Sequence, residues 1–198
     1  MNRKLTLASL AAATIGIFGS FVFLTHTSAT ANTSSGVKQE VALPKGTSEH
    51  ILPGGASSLN ETYQDWRLLC RQTDAGSRCA ISQQEFDGKT RQRILSMELA
   101  PTSGQMSGVI VLPFGVALNK GASIEADGKV VGSRVNFSTC VPGGCLVPVN
   151  FDRTQLASIQ NGKKIEVKFS SVAGQQIALP ISNKGLDKAV DRIMALSR

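Results

Sequence analysis

From Trp66 to the C-terminus, apolar and polar residues alternate in short runs broken by Gly, Pro and Asn. Lys163 to Phe169 shows this most clearly. Ile165, Val167 and Phe169 fall on one side of an extended chain, and Lys164, Glu166 and Lys168 on the other. A period of two is that of a half-buried antiparallel strand. The same pattern predicts strands over 66–70, 78–86, 91–99, 109–112, 129–140, 145–151 and 176–181. Turn signals such as Asp87-Gly88, Pro101 to Gly104, Asp127-Gly128 and Asn161-Gly162 separate them. Short strands with turns at this spacing predict a mainly β chain, a single antiparallel β-sandwich or barrel-like domain. Two stretches change period. Asp152 is placed to cap a short helix that carries Leu156 and Ile159 and closes at Asn161-Gly162. Leu186, Ala189, Val190, Ile193 and Met194 recur at helical spacing, with Asp187 near the start and Arg192 near the end. They predict a short C-terminal helix docked on a sheet face or covering an edge.

The first 64 residues carry neither period. Arg3 and Lys4 precede an apolar run from Leu5 to Leu24, and Ala29-Thr30-Ala31 supplies the small residues of a peptidase site. Residues 1–31 therefore read as a signal peptide. An uncleaved anchor is the alternative, because the run is near bilayer-spanning length. No second run of that length occurs, so the reading gives the mature chain no integral membrane span. Residues 32–64, rich in Ser, Thr, Gly and Pro, read as a disordered tether, since they hold too little apolar surface to offset ordering. Residues 65–198 remain as one β-rich domain.

That domain holds 17 Lys and Arg against 11 Asp and Glu, so most of the chain's +7 belongs to it. Such an excess draws a protein towards phospholipid, lipopolysaccharide or acidic glycans, or serves solubility alone. Both histidines, His26 and His50, lie outside the domain. Their absence removes Ser-His-Asp and Cys-His catalysis and every histidine metal site. Glu125 with Asp127, and Glu85 with Asp87, are spaced for a carboxylate acid/base pair, the basis of a cofactor-free hydrolase reading. Beside Gly88 and Gly128 they read first as ordinary solvated turn residues. The domain's aromatics, Trp66, Phe86, Phe114, Phe137, Phe151 and Phe169, sit among apolar neighbours and read as core. No stacking platform for nucleic acid follows.

The four cysteines form two close pairs. Gln72 to Ser77 is a turn-forming run that sets Cys70 and Cys79 across a hairpin, and Pro142-Gly143-Gly144 allows a sharp reversal between Cys140 and Cys145. In an exported chain this geometry predicts two local disulfides. Zinc is the weaker reading, because the paired C-x2-C knuckles of all-thiolate sites are missing. Arg67, Arg71, Arg78, Arg91 and Arg93 are candidate anion contacts: Arg67 and Arg71 share one strand face by alternation, and Arg91 and Arg93 another.

Trp66-Arg-Leu-Leu-Cys70 with Cys79-Ala-Ile-Ser-Gln83 resembles the opening motif of the invasion-associated locus B proteins. Leu112-Pro113-Phe114-Gly115-Val116 is similar to that family's central signature, Cys140 to Cys145 to its Cys-x3-Gly-Cys element, and Leu179-Pro180-Ile181-Ser182 with Gly185 and Ala189 to its C-terminal motif. The motifs run in order from about residue 66 to 189. Two departures stand out: Leu186 replaces an aromatic expected after Gly185, and the tether before Trp66 is long for the family. The resemblance implies a small envelope protein of Gram-negative bacteria, associated with entry into host cells. It implies no catalysis, and only Cys70, Cys79, Cys140 and Cys145 carry over, as structural bridges.

The sequence thus predicts an exported, non-catalytic interaction module without cofactor, in the periplasm or at the outer surface, that contacts an envelope or host component. The alternatives are a structural protein whose basic face meets anionic lipid or lipopolysaccharide, and the carboxylate hydrolase.

Overall fold

In a computed structural model, which describes residues 52–197, alternation along the chain is realised as two antiparallel sheets. The strands are β1 (Ser58–Tyr63), β2 (Trp66–Thr73), β3 (Gly76–Phe86), β4 (Arg93–Thr102), β5 (Gln105–Leu112), β6 (Ala122–Ala126), β7 (Lys129–Val130), β8 (Thr139–Val141), β9 (Gly144–Phe151), β10 (Ile165–Ser170) and β11 (Gln176–Pro180). One sheet runs β1-β2-β3-β4-β5-β9-β8 and the other β11-β10-β6-β7. Helix α1 (Arg153–Asn161) packs beside β9, and α2 (Leu186–Leu196) packs on β1 to β4.

Register decides which side chains are buried. Cys70 is paired with Cys79, Leu68 with Ile81, and Ile81 with Leu99, while Met97 meets Ile110 and Ile110 meets Val147. Each row therefore places apolar side chains on the same face. Val167 with Ile124 and Phe169 with Ala122 do the same in the smaller sheet. These residues and the α2 stripe Leu186, Ala189, Val190 and Ile193 form one apolar core. Both disulfides follow the same logic: Cys70 bonds Cys79, and Cys140 bonds Cys145, each pair directly opposed across adjacent strands.

Both helices begin as expected or nearly so. Asp152 accepts from the Gln155 amide while the Gln155 side chain accepts from the Asp152 amide, a complete capping box for α1. Leu186, which departs from the family pattern, is fully buried and docks α2 without an aromatic. Gly185 precedes it at φ +82, where a Cβ would stand 2.0 Å from the Tyr63 carbonyl oxygen. Arg192 does not serve the helix dipole. Its guanidinium instead clamps Glu61 of β1 at 2.9 Å.

Three stretches differ from the sequence reading. The tether does not extend to residue 64: Leu52 is buried, its amide donates to Gln72, and residues 58–63 form β1. β1 is an edge strand, paired with β2 in a hairpin through Gln64 and Asp65 and held by Arg192 from the far end of the chain; its short, mostly polar run Ser58–Tyr63 gave no strand signal. Residues 32–51 and the signal segment lie outside the described residues. β6 was not anticipated. The strand over 129–140 shrinks to β7 and β8, because 131–138 carries Gly132 at φ +77 and only an isolated bridge at Val135.

Candidate functional site

The larger sheet has one face packed and one open. On β2, Trp66, Leu68 and Cys70 are buried, whereas Arg67, Leu69 and Arg71 are exposed on the opposite face. Arg71 pairs directly with Arg78 of β3, so two guanidinium stems leave adjacent strands side by side. Like charges directly opposite each other destabilise a sheet. No acid among the described residues forms an ion pair with Arg67, Arg71 or Arg78. Glu98 lies in the Arg67 row two strands away and Asp74 in the adjoining turn, and neither engages them. The remaining two candidates do not join this row. Arg91 is not on a strand but in the β3–β4 loop at φ +60, and Arg93 opens β4 with its guanidinium on the Gly143 carbonyl at 2.9 Å. Positive φ at Arg91 breaks the alternation on which a shared face with Arg93 depended.

The carboxylate pairs are occupied. Lys168 donates to Glu125 at 2.6 Å, and Asp127 accepts from the Lys163 and Lys164 amides. Asp87 accepts from the amides of Lys89 and Thr90, which hold its carboxyl below the usual range. Glu85 points to the packed face instead. Burial raises its pKa, against a hydrogen bond from the Gln83 side chain, and nearby Asp65 pushes the same way as burial. Gln83 is itself buried, and its Oε1 has no partner. Glu85 and Asp87 therefore diverge, one inward and one capping its own loop. The polar network around Glu85 belongs to the Trp66 anchor: Trp66 Nε1 donates to the Ser182 carbonyl at 2.9 Å, and Ser182 Oγ donates to Asp65 at 2.6 Å.

A cleft of about 510 Å³ lies between α1 and the β6–β7 hairpin. Several of its polar groups already have partners. Gln155 serves the capping box, Ser158 donates to the Thr154 carbonyl, and Asn161 donates to the Ala157 carbonyl. No cluster of metal-ligating side chains occurs among the described residues.

Two aromatics read as core are not. Phe86 is 52% and Phe114 62% exposed. Each stands at the last position of a strand or in the loop beyond it, where alternation no longer fixes a side. Trp66, Phe151 and Phe169 are buried and Phe137 is half-buried. Sequence reasoning missed this exposed pair. Its one available signal was position: Phe86 borders Asp87-Gly88, and Phe114 lies between Pro113 and Gly115.

Comparison with known proteins agrees with the fold and with the ordered motifs. The profile of the Invasion associated locus B (IalB) protein family matches residues 66–194. An Invasion protein B homologue of Brucella abortus is 43% identical over 149 residues, covering 74% of this chain and 86% of that protein. Invasion protein B of Bartonella bacilliformis is 32% identical over 151 residues, covering 74% and 81%. The crystal structure of invasion associated protein B from Bartonella henselae superposes with a TM-score of 0.66 at 26% identity, covering 71% of this chain and 97% of that one. The family is named for invasion rather than for a reaction. The family profile spans nearly all of the β-rich domain, and a solved member superposes on its fold: this chain belongs to the invasion-associated locus B family.

Proposed function

We propose that this protein is an exported, non-catalytic interaction module of the bacterial envelope, and that it meets an anionic polymer of the envelope or host surface through the open face of its larger sheet. The observation that carries the reading is the row of Arg67, Arg71 and Arg78, exposed, without ion-pair partners, and with two members directly opposed. Such a row costs the isolated fold some repulsion, and an anionic ligand relieves it. Support for a non-catalytic role comes from a domain without imidazole and from carboxylates already committed to caps and ion pairs. Disulfides and family membership support export, and the reading places the work in the periplasm or at the outer surface.

The test uses the mature chain and heparin as a soluble polyanion probe. The Arg67→Ser, Arg71→Ser, Arg78→Ser triple variant should bind about tenfold or more weakly, with a shallower dependence on salt. Equal affinity and equal salt slope in variant and parent would remove the sheet face from the contact.

A further inference from the structure

Four loops converge at one end of the molecule, joined by two hydrogen bonds and one close backbone approach. Arg93 pairs with Phe86 at the β3–β4 connection and reaches across β5 to the Gly143 carbonyl in the β8–β9 turn. Gly144 of that turn lies against the end of β5, where any Cβ would stand 2.3 Å from the Leu112 carbonyl oxygen. Phe114 leaves β5 two residues later. Gly115 then accepts from the Val172 amide at 2.8 Å, which joins the β10–β11 turn to the group.

Apolar side chains collect there. Seven large apolar residues are exposed among the described residues, and five of them stand in these loops or at the strand ends that open them: Phe86, Phe114, Leu118, Val141 and Val172. Val172 is 76% and Phe114 62% exposed. Cations surround them. Lys89, Arg91 and Lys120 are exposed in the same loops and Arg93 at the start of β4, and none forms an ion pair among the described residues. The one acid in these loops, Asp87, is turned onto its own loop amides.

We propose that this loop end is a bilayer-contact site, with the apolar tips entering the headgroup boundary of an anionic phospholipid surface and the surrounding cations resting on its phosphates. Grouped apolar tips on a soluble domain mark an interaction surface. Bulky apolar groups ringed by Lys and Arg suit the depth profile of a bilayer, apolar at the acyl boundary and anionic above it. Long cationic stems allow the charge to stay at headgroup level while the chain beneath is buried. The tips project from separate loops, so they suit a fluid surface better than a folded ligand. This site adjoins the arginine row, since Arg67 and Phe86 line one small cleft, but its other tips and its cations belong to different loops. It shares with the proposed function only the premise that the protein works by contact.

The experiment measures binding of the mature chain to vesicles of zwitterionic lipid with and without about 30% anionic phospholipid. Binding should require the anionic component and weaken as salt rises from about 0.05 to about 0.5 M. Phe114→Ser with Val172→Ser should weaken it about tenfold or more even at low salt. Lys89→Ser with Arg91→Ser should weaken it and flatten the salt dependence. A Phe114→Trp probe in the otherwise intact chain should shift to the blue on vesicles and be quenched by brominated acyl chains. Trp66, the only native tryptophan and fully buried, supplies a constant background. The Arg67, Arg71, Arg78 triple variant should retain vesicle binding, so failure of one proposal leaves the other standing. The inference is overturned by the absence of vesicle binding, by an unquenched probe, by capture of lipopolysaccharide or protein without vesicles, or by loss of vesicle binding only in the sheet-face variant.

Discussion

Trp66→Ala offers a quantitative test of how the two layers are held together. The Trp66 side chain is fully buried, and its indole N–H donates to the Ser182 carbonyl 116 residues away. Ser182 lies on the approach to α2, and its hydroxyl is bound to Asp65, the residue before Trp66. Removing a buried Trp costs about 3–5 kcal/mol. The Ser182 carbonyl left without its donor adds about 1–3 kcal/mol, part of which relaxation recovers. The expected loss is therefore about 4–6 kcal/mol, a large share of the roughly 5–15 kcal/mol by which such domains are stable. In a domain of this size it should lower Tm by roughly 10–20 °C. Urea unfolding followed by far-ultraviolet circular dichroism, with both disulfides intact, measures it without a tryptophan signal. Trp66→Phe keeps most of the apolar contact and forfeits the hydrogen bond, so about 1–3 kcal/mol is expected. A loss below about 1.5 kcal/mol for Trp66→Ala, or equal losses for the two variants, would refute the anchor.

Two further outcomes follow from the geometry. Burial raises the Glu85 pKa, so the folded state holds that proton more tightly than the unfolded chain does. Its stabilising effect is present at acid pH and is lost as pH rises from the ordinary carboxylate range through the raised value. Glu85→Gln should accordingly raise Tm at about pH 7, with the gain vanishing by about pH 4, and a gain constant across pH would contradict burial as the cause. Gly144→Ala should destabilise by roughly 2–5 kcal/mol, because φ is +133 and the new Cβ would meet the Leu112 carbonyl and Val111. Gly174→Ala, also at positive φ but with open space around it, should cost only about 1 kcal/mol. Similar losses at the two glycines would mean that the close approach to β5 carries no weight.

Legibility tracked the range of the interaction involved. Alternation at Ile165, Val167 and Phe169 and the helical spacing of Leu186, Ala189, Val190 and Ile193 announced their elements, because a local period already encodes one buried face. Cysteine spacing with turn residues between announced both bridges for the same reason. β1 stayed hidden because its six residues are mostly polar and because Arg192, which clamps it, lies 131 residues away.

The candidate contact surfaces show the same division. From its residues alone, this chain specified its cysteine pairs, most of its strands, both helices and a domain without imidazole. Alternation also placed Arg67 and Arg71 on one face. Only the fold could part Arg91 from Arg93, turn Glu85 inward and gather Phe86, Phe114 and Val172 at one end. Those outcomes depend on strand register and on which loops close together. Pairing between distant segments sets both, and no window along the chain contains that information.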